Sequence, residues 1–186
     1  MEFDDVIKKR CSVRKFKDKR VSWKLILKSI DAALQGPFAN NLNNLSFLVI
    51  ENAETIKKIA DIAEQDWINN SGIVIVVCSD PKPLEQLYDE RGKIYSKQQA
   101  GAAILTFLLK IVDLKLSSCW VGGFNEEKLR MLLKIPKEIE IEALLPVGYE
   151  TEKTPKKRKR DLDTVIFWEE WGERKRPTFF REPDIK

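Results

Sequence analysis

Apolar side chains recur at helical spacing in several parts of the chain. The predicted helices run from Glu2 to Lys9, from the capping Ser22 to about Gln35, from Glu54 to Asn69 and from Ser96 to Lys115. A further helix is predicted to begin after Asn125, because this residue type caps helices and two carboxylates follow it in the first turn.

The segment from Ser96 to Lys115 is the strongest helix signal. It is apolar almost all round from Ala100 to Ile111, which predicts a buried central helix. Lys110 interrupts this stretch, which is too short to span a bilayer.

Short apolar runs between these helices predict strands. They cover Ser46 to Ile50, Ile73 to Cys78, Leu116 to Val121 and Glu140 to Gly148, with a last strand or short helix over Leu162 to Phe167. The run from Ile73 to Cys78 is almost entirely β-branched, which is typical of a strand buried on both faces. Strands and helices mix as in a layered α+β or α/β domain.

The composition indicates a soluble globular protein of one-domain length. The chain has 186 residues, of which 43% are hydrophobic and 33% charged. The net charge of +4 is mild and suits a small anionic ligand without requiring nucleic acid.

Histidine is absent, and the three cysteines are widely separated at Cys11, Cys78 and Cys119. These numbers give a zinc site little support, and we expect no bound metal. An odd cysteine count without an apolar leader segment fits a reducing compartment, so we expect a cytoplasmic protein. Without histidine, the commonest general base, any chemistry is expected to be carried by a cofactor.

Two basic clusters stand far apart in the chain, Arg10-Cys11-Ser12-Val13-Arg14 and the run from Lys156 to Arg160. Arginine presents a planar fork of donors that matches phosphate, and a hydroxyl adds a further contact. Closing both clusters around one anion would explain them, although a solvated charged surface is the alternative for each.

Four segments in order carry a resemblance to a known family. They are Arg10 to Phe16 (RCSVRKF), Gly36 to Leu45 (GPFANNLNNL), Ser118 to Phe124 (SCWVGGF) and Leu145 to Tyr149 (LPVGY). Between the third and fourth segments, Lys134-Ile135-Pro136 ends the helix that is predicted after Asn125. Together they resemble the nitroreductase family of FMN-dependent oxidoreductases over nearly the whole chain. Each motif alone is weak, and the four in order are fairly specific.

The resemblance implies an architecture. It predicts an α+β, nitroreductase-like fold with a central mixed sheet of four or five strands flanked by helices. Residues 1–167 would form the FMN-binding domain, and residues 168–186 a C-terminal tail packed on the domain or on a dimer partner. Family members place FMN at the interface of a homodimer, and the long apolar helix is a candidate for the core of that interface.

The resemblance also implies the FMN contacts. Arg10, Cys11, Ser12 and Arg14 match the positions that hold the phosphate and ribityl chain, and Arg14 is a candidate for stabilising the reduced flavin at its pyrimidine edge. Asn41 matches an asparagine that hydrogen-bonds the flavin ring. The remaining implied contacts are to the flavin face, from Val121, Gly122 and Gly123, and to the phosphate, from Lys159 and Arg160. Lys157 is a further candidate for the phosphate. The alternatives are a turn-forming asparagine at 41 and a plain strand-to-helix turn at the glycines.

The implied activity is transfer of two electrons from NAD(P)H through FMN to an electron-poor acceptor such as a nitroaromatic or quinone. No side chain needs to act as acid or base. Cys11, Phe38 and Asn43-Asn44-Leu45 depart from the family pattern, which leaves the acceptor and the choice between NADH and NADPH open. The alternatives are a flavin-binding or sensing protein without significant turnover and a nucleic-acid binder using the late basic run. We expect neither nucleic-acid nor membrane binding.

Overall fold

The computed structural model describes residues 1–155 and 159–177. The chain divides into two compact units, Met1–Thr154 and Pro155–Lys186. The first unit carries helices α1 (Phe3–Lys9), α2 (Trp23–Ala33), α3 (Ala53–Ala63), α4 (Lys82–Tyr88), α5 (Glu90–Asp113) and α6 (Glu126–Leu133). Its strands are β1 (Leu45–Ile50), β2 (Ile73–Ser79), β3 (Ser117–Ser118) and β4 (Glu140–Gly148).

The four strands form one sheet in the order β1-β2-β4-β3. All three pairings between them are antiparallel, and Ile73 of β2 lies opposite Val147 of β4. Among the described residues, the predicted mixed character is limited to a parallel bridge between Ser12 and Ser118. The predicted α+β fold class is confirmed.

Strand β2 is buried along its whole length, as its β-branched sequence predicts. Successive side chains point to opposite faces of a sheet. Ile73, Ile75 and Val77 therefore enter one core with α2 and α5, while Val74 and Val76 enter a second core with α3 and α6. The sheet is the middle of three layers.

The helix predicted from Glu54 to Asn69 is two elements. Helix α3 ends at Ala63, where Glu64 adopts a left-handed φ of 53° and caps the helix through its backbone N–H. Residues Asp66–Asn70 then form a separate 3-10 turn. A left-handed cap reverses the chain direction, so one continuous helix cannot pass through this point.

Two other predicted boundaries also moved, and one helix was not predicted. Helix α4 follows shortly after β2, and its Pro83 occupies the first helical turn, where a missing N–H breaks no hydrogen bond. The central helix begins at Glu90 and ends at Asp113 instead of spanning 96–115. The strand predicted over Leu116 to Val121 pairs regularly only at Ser117–Ser118.

The central helix α5 is buried on one side only. Its buried residues include Ala103, Phe107 and Ile111, whereas Leu105 is 49% exposed. The predicted burial of this helix therefore holds on one face, and the face that carries Leu105 is exposed. In the described part of the chain, no helix has the length and apolar character needed to cross a lipid bilayer.

The second unit is described over residues 155 and 159–177. It contains a 3-10 turn at Leu162–Thr164, which is the short-helix alternative for that segment. The rings of Phe167 and Trp171 lie 4.6 Å apart between centroids. The assignment of residues 168–186 as a packed tail stays a prediction.

Helices α4 and α5 meet so closely that Gly92 has no room for a side chain. A Cβ there would lie 2.4 Å from backbone atoms of Leu84 and Glu85. Backbone atoms cannot move aside without shifting a helix, so this glycine is required by packing. A Cβ on Gly101, in the same helix, would lie 4.0 Å from a carbon of the Trp120 ring, the nearest atom outside its own stretch of helix.

We therefore predict opposite effects for alanine at these two glycines. Gly92→Ala should lower the free energy of unfolding by about 1–3 kcal/mol, the usual cost of overpacking. Gly101→Ala should be neutral or stabilise by up to about 1 kcal/mol, because alanine is the better helix former. Urea unfolding of both variants measures this difference, and equal shifts would contradict the close crossing of α4 and α5.

Candidate functional site

The basic segment Arg10–Arg14 is fixed against the edge of the sheet. Arg10 ends α1 and donates its backbone N–H to Val6 O at 2.9 Å. Two residues on, Ser12 bridges Ser118 of β3, and the Val13 N–H donates to Ser118 O at 3.1 Å. Because the side chain of Val13 is buried, its neighbours in this extended segment point outward.

The guanidinium groups of Arg10 and Arg14 lie without an ion pair to any described carboxylate. Arg14 does contact the Trp67 ring, with 5.9 Å from its guanidinium carbon to the ring centroid. Positive charge on an exposed edge without a paired acid is an electrostatic setting that favours an anion.

The pKa of the buried Cys119 thiol reflects the charged and polar side chains near it. Burial raises its pKa, and the positive charge of Arg14, a hydrogen bond from Ser12 and the charge of Arg10 oppose that rise. Arg10, Ser12 and Arg14 therefore all lie near Cys119, beside β3. Cys11, which follows Arg10 in the chain, is half-buried.

The segment Val121–Gly123 lies next to this cluster along the chain. Val121 is buried, and its backbone exchanges two 2.9 Å hydrogen bonds with Leu144. The carbonyl of Gly123 accepts a 3.3 Å hydrogen bond from the side chain of Gln65. The strand end and the turn after it are therefore held from two sides.

The glycines of this turn face open space. Beyond each glycine and its two chain neighbours, no described atom lies within 4 Å of where a Cβ would stand on Gly122 or Gly123, and neither has a left-handed φ. Neither backbone conformation nor packing within the described chain therefore requires glycine here. Close approach of an external group would make use of the missing side chains, and a plain turn is the alternative.

A buried hydroxyl lies within the same cluster. Ser118 Oγ is inaccessible to solvent and has no hydrogen-bond partner among the described residues. Unsatisfied buried polar atoms are uncommon in folded proteins. The cluster therefore contains a hydroxyl without a described partner and two arginines, and the glycine turn that faces open space follows it in the chain.

Asn41 lies against another part of the first unit. It belongs to the 3-10 turn Ala39–Asn41, which the side chain of Gln99 on α5 holds at Ala39 and Leu42. The Trp120 ring, which precedes Val121, lies beside Gly101 of α5. Positions 99 and 101 are about 200° apart around a helix, so the two segments lie on different faces of α5.

Lys159 and Arg160 lie in the second unit and are exposed. Arg160 donates to Thr164 O at 3.3 Å. Lys157 lies outside the described residues. The phosphate contacts assigned to these three cations stay predictions.

Sequence reasoning missed three residues that shape these segments. Gln65 and Gln99 bond to the glycine turn and to the asparagine turn, and Trp67 lies under Arg14. A glutamine carries no motif signal by itself. Gln99 could have been noticed as a polar residue at the start of an otherwise apolar helical run.

The described residues contain no group of three or more His, Cys, Asp or Glu arranged to hold a metal ion. This finding concerns only residues 1–155 and 159–177.

Comparisons with known proteins show what this chain is similar to. Residues 7–72 and 63–149 match the family model described as the Nitroreductase family. A protein of Methanothermobacter thermautotrophicus, provisionally named NADH dehydrogenase/NAD(P)H nitroreductase, is 30% identical over 92% of this chain and 88% of its own length. The FMN reductase [NAD(P)H] of Bacillus subtilis is 24% identical over 83% of this chain and 68% of its own.

A solved structure shows the same fold. The crystal structure of a nitroreductase family protein from Clostridium novyi NT superimposes with a TM-score of 0.75 at 30% identity. The match covers 93% of this chain and 96% of that protein.

We predict that the three thiols differ sharply in reactivity. Burial raises the pKa of Cys78 to about 11, so at pH 8 only about a thousandth of it is the reactive thiolate. Burial also raises the pKa of Cys119, whereas Cys11 is half-exposed. One thiol per chain should react with iodoacetamide in the folded protein and three in urea. Cys11→Ser should abolish the fast reaction, and rapid labelling of Cys78 in the folded protein would contradict this prediction.

Proposed function

The chain belongs to the nitroreductase family, and from that premise we propose that it is an FMN-dependent oxidoreductase. In this proposal it carries two electrons from NAD(P)H to a small electron-poor acceptor such as a nitroaromatic or a quinone. The names of its relatives support NAD(P)H as donor and a flavin as cofactor. The acceptor is inferred from the chemistry that a flavin hydroquinone supports.

One observation carries the proposal: two arginines without ion pairs to described carboxylates and a hydroxyl lie near Cys119, and the glycine turn that follows in the chain faces open space. Arg10, Ser12 and Arg14 would hold a phosphate and its polar chain by charge-assisted hydrogen bonds. Gly122 and Gly123 would let an aromatic ring system approach the backbone. The unpartnered Ser118 Oγ adds a polar atom that a ligand could satisfy. These residues fit FMN.

The bound FMN would supply the redox chemistry by accepting and releasing two electrons. The protein would contribute position and charge. Arg14 would favour negative charge that develops nearby, and Trp67 would restrict the rotation of its guanidinium group. We assign no acid or base role to a side chain.

We propose that a second copy of the chain completes the site. Asn41 and the segment Ser118–Gly123 lie on different faces of α5. One flavin ring would therefore contact Asn41 of one chain and the Ser118–Gly123 segment of the other more readily than both in the same chain. Large apolar side chains also remain exposed on α1, α2 and α5 and at the residue after α2, namely Phe3, Ile7, Trp23, Leu27, Leu34, Ile94 and Leu105. Such a surface is typical of an obligate interface.

We further propose a cytoplasmic location. All three cysteines are free, and thiols persist in a reducing compartment.

The test is the purified protein reconstituted with FMN. The proposal requires the absorption bands of a protein-bound flavin at roughly 370 and 450 nm. It also requires NAD(P)H oxidation on adding a nitroaromatic or quinone, and a dimer by light scattering. Tight FMN binding without NAD(P)H oxidation would replace the enzyme by a flavin-binding protein. Absence of flavin binding would refute both.

We predict that Arg10→Ala weakens FMN binding by about 1.5–3 kcal/mol, the usual size for a hydrogen bond to a charged group. Riboflavin has no phosphate, so its affinity should hardly change. Lys8→Ala removes an exposed positive charge two residues away and serves as the matched control. Fluorescence titration measures the affinities of both ligands for the wild-type protein and for the two variants. Equal losses for FMN and riboflavin would show that Arg10 does not bind the phosphate.

We predict that Gly122→Ala leaves stability within about 0.5 kcal/mol, because its Cβ enters open space. FMN and riboflavin should both bind at least about tenfold more weakly, a loss of about 1.4 kcal/mol, since they share the ring that approaches this backbone. Thermal melting of the apoprotein and fluorescence titration separate the two effects. A drop in melting temperature with unchanged affinity would mean that glycine serves the turn itself.

A further inference from the structure

Gln99 is a buried polar residue in the middle of the apolar layer formed by α5. Its side chain is 4% exposed. Its Oε1 accepts a hydrogen bond from the Ala39 N–H at 3.1 Å, and its Nε2 donates to Leu42 O at 3.1 Å and to Asn44 Oδ1 at 2.5 Å. A side-chain amide offers two N–H donors and one carbonyl acceptor, and all of these groups are used.

The segment between these contacts has an unusual backbone. Asn40 and Asn41 both have left-handed φ angles, 51° and 54°. Side-chain-bearing residues adopt this region at a cost, and two in succession require support from the surroundings. Inside the turn, the backbone supplies the bond from Asn41 N–H to Phe38 O and the bond from Leu42 N–H to Ala39 O. Gln99 adds a contact at each end.

Gln99 is itself held by a buried network. Asn44 Nδ2 donates to Asp80 O and to Ser96 Oγ, both at 2.8 Å, and Ser96 donates to Ser79 Oγ at 3.2 Å. Ser96 lies one turn before Gln99 on α5, so both point the same way. A buried polar network whose members are satisfied fixes one arrangement of its parts.

From this geometry we propose that Gln99 is a positioning residue: its amide holds the Ala39–Leu42 turn so that Asn41 meets the flavin ring. The inference rests on the proposed function, in which Asn41 makes that contact. Gln99 would not touch the cofactor. It would act by keeping Asn41 in the left-handed conformation before the ligand arrives, which lowers the ordering cost of binding.

The test uses Gln99→Met, which keeps the length of the side chain and removes its hydrogen bonds. In the apoprotein, hydrogen exchange at the Ala39 amide should accelerate at least tenfold, since this N–H loses its acceptor. FMN and riboflavin should both bind about tenfold more weakly, because they share the ring. Arg10→Ala should by contrast affect FMN alone.

A double-mutant cycle shows whether Gln99 acts through Asn41. In an Asn41→Ala background, Gln99→Met should change flavin affinity by less than about threefold, because the contact that it positions is gone. Gln99→Glu is the second variant if the methionine protein does not fold. Its carboxylate still accepts from Ala39 N–H and loses both donated bonds, so it should weaken riboflavin binding as well.

Two controls separate positioning from general stability. Gln98→Met changes the same residue type at the adjacent exposed position and should alter neither exchange nor affinity. Ser96→Ala disturbs the network while leaving the three bonds of Gln99 in place.

Full additivity in the cycle, or an equal affinity loss in Ser96→Ala and Gln99→Met, would overturn the proposal. So would unchanged exchange in Gln99→Met. A wild-type protein that binds no flavin would instead refute the proposed function.

Discussion

Burial of β2 on both faces is the constraint on which the rest of the first unit depends. A strand that exposes neither face needs an apolar layer on each side, and α2 with α5 and α3 with α6 provide the two layers. A fully buried Ile or Val contributes roughly 1.5–3 kcal/mol relative to an exposed one. The antiparallel pairing of β2 with β4 then fixes β3 at the sheet edge. That edge is where the basic segment docks.

The sequence predicted the layers well because their signals are local. The β-branched run of β2 indicated a buried strand, the periodicity of α2 indicated an amphipathic helix, and the apolar stretch of α5 indicated a central helix. The left-handed cap at Glu64 and the early start of α5 were missed, since both depend on tertiary contacts that periodicity does not encode.

For the candidate site, the motifs predicted a set of residues without predicting where its members lie. Arg10, Ser12 and Arg14 all lie near Cys119. Asn41 lies on another face of α5, which no spacing rule along the chain could have indicated. The structure also gives the two glycines a physical meaning: the space around them is open, so their small size is not explained by this chain's own packing. Gln99, which carries no motif, turns out to support the Asn41 turn from inside the core.

The pairing of Ser12 with Ser118 has a consequence for the order in which the protein matures. The two residues are far apart in the chain, and the Lys17 N–H also bonds to Tyr149 O at 2.7 Å. During synthesis Arg10 and Arg14 leave the ribosome well before Ser118 and Tyr149, the residues to which their segment pairs. Long-range contacts of this kind form late in folding. The basic segment is therefore made long before it can dock, and a nascent chain that ends before β3 would lack the pairing that holds this segment at the sheet edge.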